Sequence, residues 1–411
     1  MKYITKYIEN RDFNTTLINV IFQFKLNKEE ILAHTILSKL MSFNNKDYSD
    51  DASFAKEKLN RYIIKYSSLA QSINDIYFMN FSMLVPSKDI IKDDFLEGAI
   101  IFLLDTIYRP NIENGKFKES IFETEKRIYV ENLLNGYKNI NFIAEKNALD
   151  LLDSDGIFNK IKYKDLEYVD RLNNEDVVSF YNKYIKNIKP NIFINGDVDI
   201  ELCEKVFSDY LSKLDLKNNK VIKEYNHFYD NKECLVKNDE SKYYQSIVYM
   251  SYKVNNYKED DFYKLYLVNL LLSSSASEIL LNKLRKENNL VYTCGSSVLI
   301  RNGLLLVKAL TNKNSIKLVS MLIESIIKEL SDIDKYKDNI NNIIRRLGLD
   351  IEREKDNFYI STANIINEYY ECDISSEEEL EIIKNISNEE LLDLINRLEL
   401  CSLYTLEGSC G

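Results

Sequence analysis

Glycine is scarce in this 411-residue chain: ten residues, where ordinary usage would give about 29. Glycine-rich phosphate cradles therefore have little raw material, and neither G-x-G-x-x-G nor a Walker-type run occurs. Histidine is scarcer still, with only His34 and His227, and tryptophan is absent. Two histidines in separate segments leave no H-E-x-x-H, no H-x-x-E-H and no Cys/His cluster. The six cysteines form no C-x-x-C pair and no zinc-ribbon spacing, so free thiols are the expectation. Positive charge is in deficit, 54 basic side chains against 65 acidic, which speaks against a general nucleic-acid binder. Long apolar runs are missing too. No segment approaches the 18 or so apolar residues of a membrane-spanning helix, and the opening Met1-Lys-Tyr-Ile4 lacks the apolar stretch of a secretory signal. A cytoplasmic protein with neither membrane nor nucleic acid as partner is expected.

What is present is a packed α/β chain that repeats itself. The 45% hydrophobic content suits a globular core. Asn19 to Leu26 alternates as a half-buried strand, and Asn27 with Glu30 three residues on opens a helix through Ser42. A strand-like run from Ser72 to Val85 ends at Pro86, and Ser87 is expected to cap a helix that Pro110 stops. A long helical pattern spans about 115–152, and Asn174 to Tyr181 reads as a capped helix before the strand Asn191 to Ile194. The second half restates this order. Ile247 to Val254 matches 19–26, with Lys253 in the place of Lys25; Asn388 to Ile395 echoes 174–181; Leu403 to Gly408 echoes Phe193 to Gly196. A repeat of about 200 residues exceeds any solenoid unit and means two related domains. The reading is α+β: two homologous domains, 1–215 and 244–411, each an antiparallel or mixed sheet packed on helices, joined by a polar linker at 216–243.

Candidate chemistry lies in two places. Leu284-Arg285-Lys-Glu-Asn-Asn289-Leu290-Val291-Tyr292 follows the serine-rich run 273–277. It reads as a helix ending at a left-handed Asn289 cap, then a strand carrying Tyr292. A guanidinium and a phenol at such a corner suit a peptide carbonyl or a developing oxyanion. Taken alone, a surface arginine and a core tyrosine explain the pair as well. His34 sits on the first helix, where a lone histidine is ordinarily structural, and His227 lies among aromatic residues of the linker.

Together these features resemble the insulinase/pitrilysin-type zinc peptidases, in the branch with half-size subunits of two homologous domains. The resemblance runs over essentially the whole chain. It rests on the duplication, on Asn174-Glu-Asp-Val…Phe180-Tyr181, on Ile194-Asn-Gly-Asp-Val-Asp199, and on Leu284-Arg…Val291-Tyr292. In that family the last motif holds the substrate backbone, which implies this role for Arg285 and Tyr292. The family's H-x-x-E-H, two zinc ligands around a general base, aligns here with His34-Thr35-Ile36-Leu37-Ser38. Leu37 stands where the base belongs and Ser38 where the second ligand belongs. A leucine takes no proton from water, and one histidine makes no three-ligand site. The region of the third ligand, Phe122 to Asn132, keeps Glu125 and Glu131.

The resemblance thus implies one half of a clamshell of the mitochondrial-processing-peptidase type, with no zinc of its own. It implies a homologous catalytic partner that carries H-x-x-E-H and zinc, and a peptide substrate held partly by Arg285 and Tyr292. The other reading is a purely structural or interaction protein of the same fold. A self-contained metallopeptidase would need a site that two histidines do not provide.

Overall fold

The computed structural model describes residues 3–409 apart from positions 28, 74–75, 92–93, 153–165, 220, 223–227 and 373. His227 and Cys410 fall outside the described residues. In chain order the elements begin β1 (Ile4–Glu9), β2 (Thr15–Lys25), α1 (Glu30–Leu40), α2 (Asp51–Asn60), β3 (Lys65–Ile73), β4 (Ile76–Pro86) and α3 (Leu96–Tyr108). A small hairpin, β5 (Ile112–Glu113) and β6 (Lys116–Phe117), leads into α4 (Glu119–Gly136) and α5 (Ile140–Leu152). Then come α6 (Leu166–Arg171), α7 (Asn174–Tyr184), β7 (Asn191–Gly196) and α8 (Ile200–Leu211). The second half holds β8 (Leu235–Glu240), β9 (Ser246–Val254), α9 (Phe262–Ser273), the short α10 (Ile279–Leu281), β10 (Val291–Leu299) and β11 (Leu304–Thr311). It closes with α11 (Ile316–Glu329), α12 (Lys337–Lys355), α13 (Phe358–Asn367), α14 (Ser376–Lys384), α15 (Asn388–Asn396) and β12 (Leu398–Glu407).

The duplication is visible in strand pairing. One five-stranded sheet runs β1-β7-β2-β4-β3 and the other, read from its far side, β8-β12-β9-β11-β10. In each, one pair is parallel (β1 with β7, β8 with β12) and the rest are antiparallel. The register repeats as well: Lys25 pairs with Ile76 and Lys253 with Leu304, so one offset of 228 carries both partners across. The α+β expectation of two sheets, each packed on helices, holds.

Period-2 patterning explains which face is covered. On β2, Ile18, Val20, Phe22 and Phe24 join Leu32, Leu37, Phe102, Leu103 and Phe180 in one core. On β9, Val248, Met250, Tyr252 and Val254 join Leu265, Val268, Ile323 and Leu394 in the other. Helix entries follow the capping chemistry of the sequence. Asn27 and Glu30 bond reciprocally, each side chain to the other's backbone N–H. Full capping boxes start α7 (Asn173 with Asp176) and α15 (Ser387 with Glu390).

Four local expectations change. Ser87 caps no helix: its hydroxyl donates to the Phe13 carbonyl, and α3 begins only at Leu96. The helical pattern over 115–152 is two helices, broken after Gly136, where a Cβ would lie 3.1 Å from the Phe142 ring. The polar stretch 216–243 is partly regular. Its end forms the edge strand β8, and its start lies along the first sheet, where Gln23 donates to Ile222 O (2.9 Å) and accepts from Ile222 N (2.8 Å). Finally, the compact units are not a simple cut of the chain: one takes 1–134 with 160–223, the other 135–159 with 224–411. Helix α5 belongs to the second unit because Ala144, Ala148, Leu149 and Leu152 form its buried stripe against β9 and β12, while Asn147 donates to the Tyr404 hydroxyl (2.9 Å).

Candidate functional site

The residues of the degenerate zinc motif are built into the core. His34 is 2% exposed, edge-on to Phe24 and Tyr77 and tilted against Phe180. Its Nε2 lies 3.0 Å from the Phe78 carbonyl oxygen. A carbonyl only accepts, so that nitrogen carries the proton and has no lone pair for a metal. Leu37 is wholly buried, and the Ser38 hydroxyl is spent on the Thr35 carbonyl at 2.8 Å. A cavity of about 380 Å³ beside α1 is lined by Glu30, Ala33, Phe180 and Lys183, not by the three motif positions. Burial works against the Glu30 carboxylate, but Lys183 (2.6 Å), the Glu30 N-terminal cap partner Asn27 and Tyr184 outweigh it and hold it below the usual carboxylate range. On α4, Glu131 pairs with Arg127 at 2.7 Å. Among the described residues no three His, Cys, Asp or Glu side chains stand close enough to hold a metal ion.

The Arg285/Tyr292 corner is built differently. Two apolar residues anchor it, Leu284 and Val291, both in the second core. Between them the backbone makes a π turn, Asn282–Glu287, and Asn289 takes the left-handed conformation (φ 52°) expected of it. Leu290 N then donates to Leu284 O (2.9 Å), and the Thr311 hydroxyl donates to Leu290 O (2.6 Å), closing the turn onto β11. With the anchors inside, Arg285 and Tyr292 stand outside; Tyr292 is 43% exposed. The Arg285 guanidinium has no ion pair or hydrogen-bond partner among the described residues. Its field reaches Cys294, where burial pushes the thiol up to about 11 against the pull of that charge.

Register shows why Tyr292 points outward. In the first sheet, Tyr66 pairs with Met83 and Ser67 with Ser82. In the second, Val291 pairs with Thr311 and Thr293 with Leu310, the same positions at the offset of 228 on β11. Two steps of β10 therefore face one step of β11, and Tyr292 is the extra residue, a β-bulge without a counterpart in β3. A bulge re-aims a side chain and releases it from the alternation of the strand. The Tyr292 hydroxyl donates to Asn312 Oδ1 at 2.8 Å, so it is not the free donor to a carbonyl or oxyanion that the sequence suggests. Asn312 carries no motif signal. It becomes visible only once β10 and β11 are in register. The four described cysteines whose side chains are placed, Cys203, Cys234, Cys294 and Cys401, are free thiols.

Residues 171–347 match the family profile described as the peptidase M16 inactive domain. No curated protein matches the chain. Solved structures share the fold over 98% of this chain. A conserved protein from Enterococcus faecalis V583 has a TM-score of 0.87, 20% identity and 96% of its own length covered. A protease from Helicobacter pylori has a TM-score of 0.78, 13% identity and 96% covered. The periplasmic protease PqqL from Escherichia coli has a TM-score of 0.74 and 9% identity, with 44% of its longer chain covered. The expected resemblance to the insulinase/pitrilysin-type peptidases is thereby borne out: the chain has the M16 peptidase fold, and its sequence contains no H-x-x-E-H. No helix among the described residues is long and apolar enough to cross a membrane.

Proposed function

We propose that this chain is the non-catalytic, substrate-binding subunit of a heterodimeric zinc metallopeptidase. A homologous partner with an intact H-x-x-E-H supplies the zinc and the general base. This chain supplies the second wall of a peptide chamber and presents Arg285 and Tyr292 to the substrate backbone. The observation that carries the reading is the contrast between its two motifs. The positions that align with the metal motif are sealed in an aromatic core, while among the described residues Arg285 stands unpaired, and Tyr292 is exposed on a corner anchored by Leu284 and Val291. An exposed strand edge in the catalytic half is the natural grip for an extended peptide. The match to an inactive M16 domain supports a division of labour of this kind. Small cytoplasmic peptides are the proposed substrates, including precursor or leader peptides of ribosomally made natural products in a bacterium.

The test is co-purification with an H-x-x-E-H homologue from the same genome, followed by peptide cleavage. Arg285→Ala is expected to lower kcat/KM about tenfold to a hundredfold, the size of a lost charge-assisted hydrogen bond. Cleavage unchanged in both Arg285→Ala and Tyr292→Phe favours a purely structural role for the chain.

A further inference from the structure

The bond between Tyr292 and Asn312 fixes which way the phenol is polarised. Its proton is committed to Asn312 Oδ1 (2.8 Å), so the phenolic oxygen turns lone pairs, not a donor, toward solvent. The other end of the same carboxamide, Asn312 Nδ2, carries two N–H donors and has no partner among the described residues. The exposed corner therefore presents an acceptor and a donor side by side. In an extended chain, the N–H and C=O of one residue point to the same side, as a donor and an acceptor side by side. The two patterns are complementary. This protein already uses such a grip elsewhere: the Gln23 carboxamide holds both the N–H and the C=O of Ile222 (2.8 and 2.9 Å).

We propose that Tyr292 and Asn312 form a two-point clamp on a single residue of an extended peptide. Tyr292 Oη accepts that residue's N–H, and Asn312 Nδ2 donates to its carbonyl. Arg285, beyond the left-handed turn at Asn289, is left to take a second carbonyl. Asn312 is thus a binding residue in its own right and also a positioning residue, because it sets the direction of the Tyr292 hydroxyl. The clamp reads backbone and not side chain, so its ligand class is an unfolded peptide of open sequence with one unsubstituted amide N–H at a fixed place. A proline or N-methylated residue there is rejected, since neither has a proton to give. The bulge at Tyr292 makes this possible: a residue released from the ladder meets a ligand without breaking the pairing of β10 with β11.

This inference rests on the proposed subunit role, and its test separates the two. The complex with the H-x-x-E-H homologue is assayed with one internally quenched decapeptide that it cleaves. A set of variants of that decapeptide each replaces one amide N–H by an ester oxygen. For the wild-type complex, an ester at one position is expected to raise KM about fivefold or more with kcat nearly unchanged, and that penalty disappears in Tyr292→Phe. Asn312→Asp keeps the acceptor for the Tyr292 hydroxyl but has no donor, so it raises KM for the all-amide peptide; Asn312→Gln restores part of the loss. Melting temperatures of the variants, all at exposed positions, show that each is folded. Equal ester penalties in wild type and Tyr292→Phe overturn the clamp, as does an unchanged KM in Asn312→Asp. If Arg285→Ala still impairs cleavage in that case, the subunit reading survives; if all the variants cleave like wild type, both fall.

Discussion

The same sheet edge is finished in two ways in the two halves of the chain. At the start of β3, Tyr66 is buried and its hydroxyl donates to the Met41 carbonyl at 2.9 Å, fastening the edge strand to the end of α1. At the start of β10, the equivalent position is Val291, which fills the core, and the next residue is the extra one. The difference is a single inserted residue. It shows how a duplicated scaffold turns a tyrosine toward solvent while the residue before it does the anchoring. The helices behind these edges diverge in the other direction. Helix α1 carries a histidine wrapped in Phe24, Tyr77 and Phe180, whereas α9 at the offset of 228 carries Phe262.

The largest effect is expected from trying to undo that wrapping. Leu37→Glu with Ser38→His recreates the spelling of a zinc site, but it places a carboxyl and an imidazole where the side chains are essentially unexposed. Leu37→Glu puts an ionisable group in an apolar setting, and Ser38→His overfills the packing around α1. Destabilisation on the order of 4 kcal/mol is expected, read as a drop in the denaturation midpoint. Elemental analysis should find no stoichiometric zinc. A folded double variant binding one zinc per chain breaks the comparison, since it places the core at α1 close to a functional site.

Next in size is the entry of α9. Asp261, buried, receives two bonds from the Arg397 guanidinium (3.0 and 2.8 Å), while the entry of α1 relies on the surface pair Lys183–Glu30. Burial raises the Asp261 carboxyl, but Arg397, the Lys258 N–H and Lys264 outweigh it and hold it below the usual range. A carboxylate with a depressed folded value contributes stability above its unfolded pKa, and the contribution disappears as pH falls through the folded value. Asp261→Asn is expected to cost about 3 kcal/mol at neutral pH, because it leaves Arg397 without its buried counter-charge. Its stability should then fall less steeply than that of wild type below about pH 4. Parallel acid limbs in the two proteins count against the pair.

How much of this was legible beforehand depended on whether the signal was local. Capping residues such as Asn27, Asn173 and Ser387 act within one turn, so the helix starts they specify could be read from spacing. Ser87 had the right chemistry and failed, because the Phe13 carbonyl, 74 residues away, claimed its hydroxyl. The duplication was legible from Lys25 and Lys253 because alternation survives in both copies. The placement of α5 on the second sheet was not, since a stripe of Ala144 and Ala148 says only that some surface covers it. The candidate site divides in the same way. The corner itself, with Arg285 and Tyr292 on either side of the left-handed Asn289 turn, follows from the run of residues. Asn312 does not, because it reaches Tyr292 only through the register of β10 on β11.

The smallest effects sharpen the contrast between the two tyrosines most directly. Tyr66→Phe leaves the Met41 carbonyl without its donor in a buried setting, and a loss of about 1 kcal/mol is expected from denaturant midpoints. Tyr292→Phe removes a bond that solvent can replace, so its change should stay within about 0.5 kcal/mol. Deleting Tyr292 altogether is the stricter comparison. It restores to β10 the unbulged pairing that β3 shows, and every core anchor remains in place. The deletion should therefore melt close to wild type, while the complex with the catalytic homologue loses cleavage to the extent that Tyr292→Phe does or more. A deletion that unfolds the second unit means that the bulge supports the sheet, and the tyrosine then has a structural task that β3 accomplishes without it.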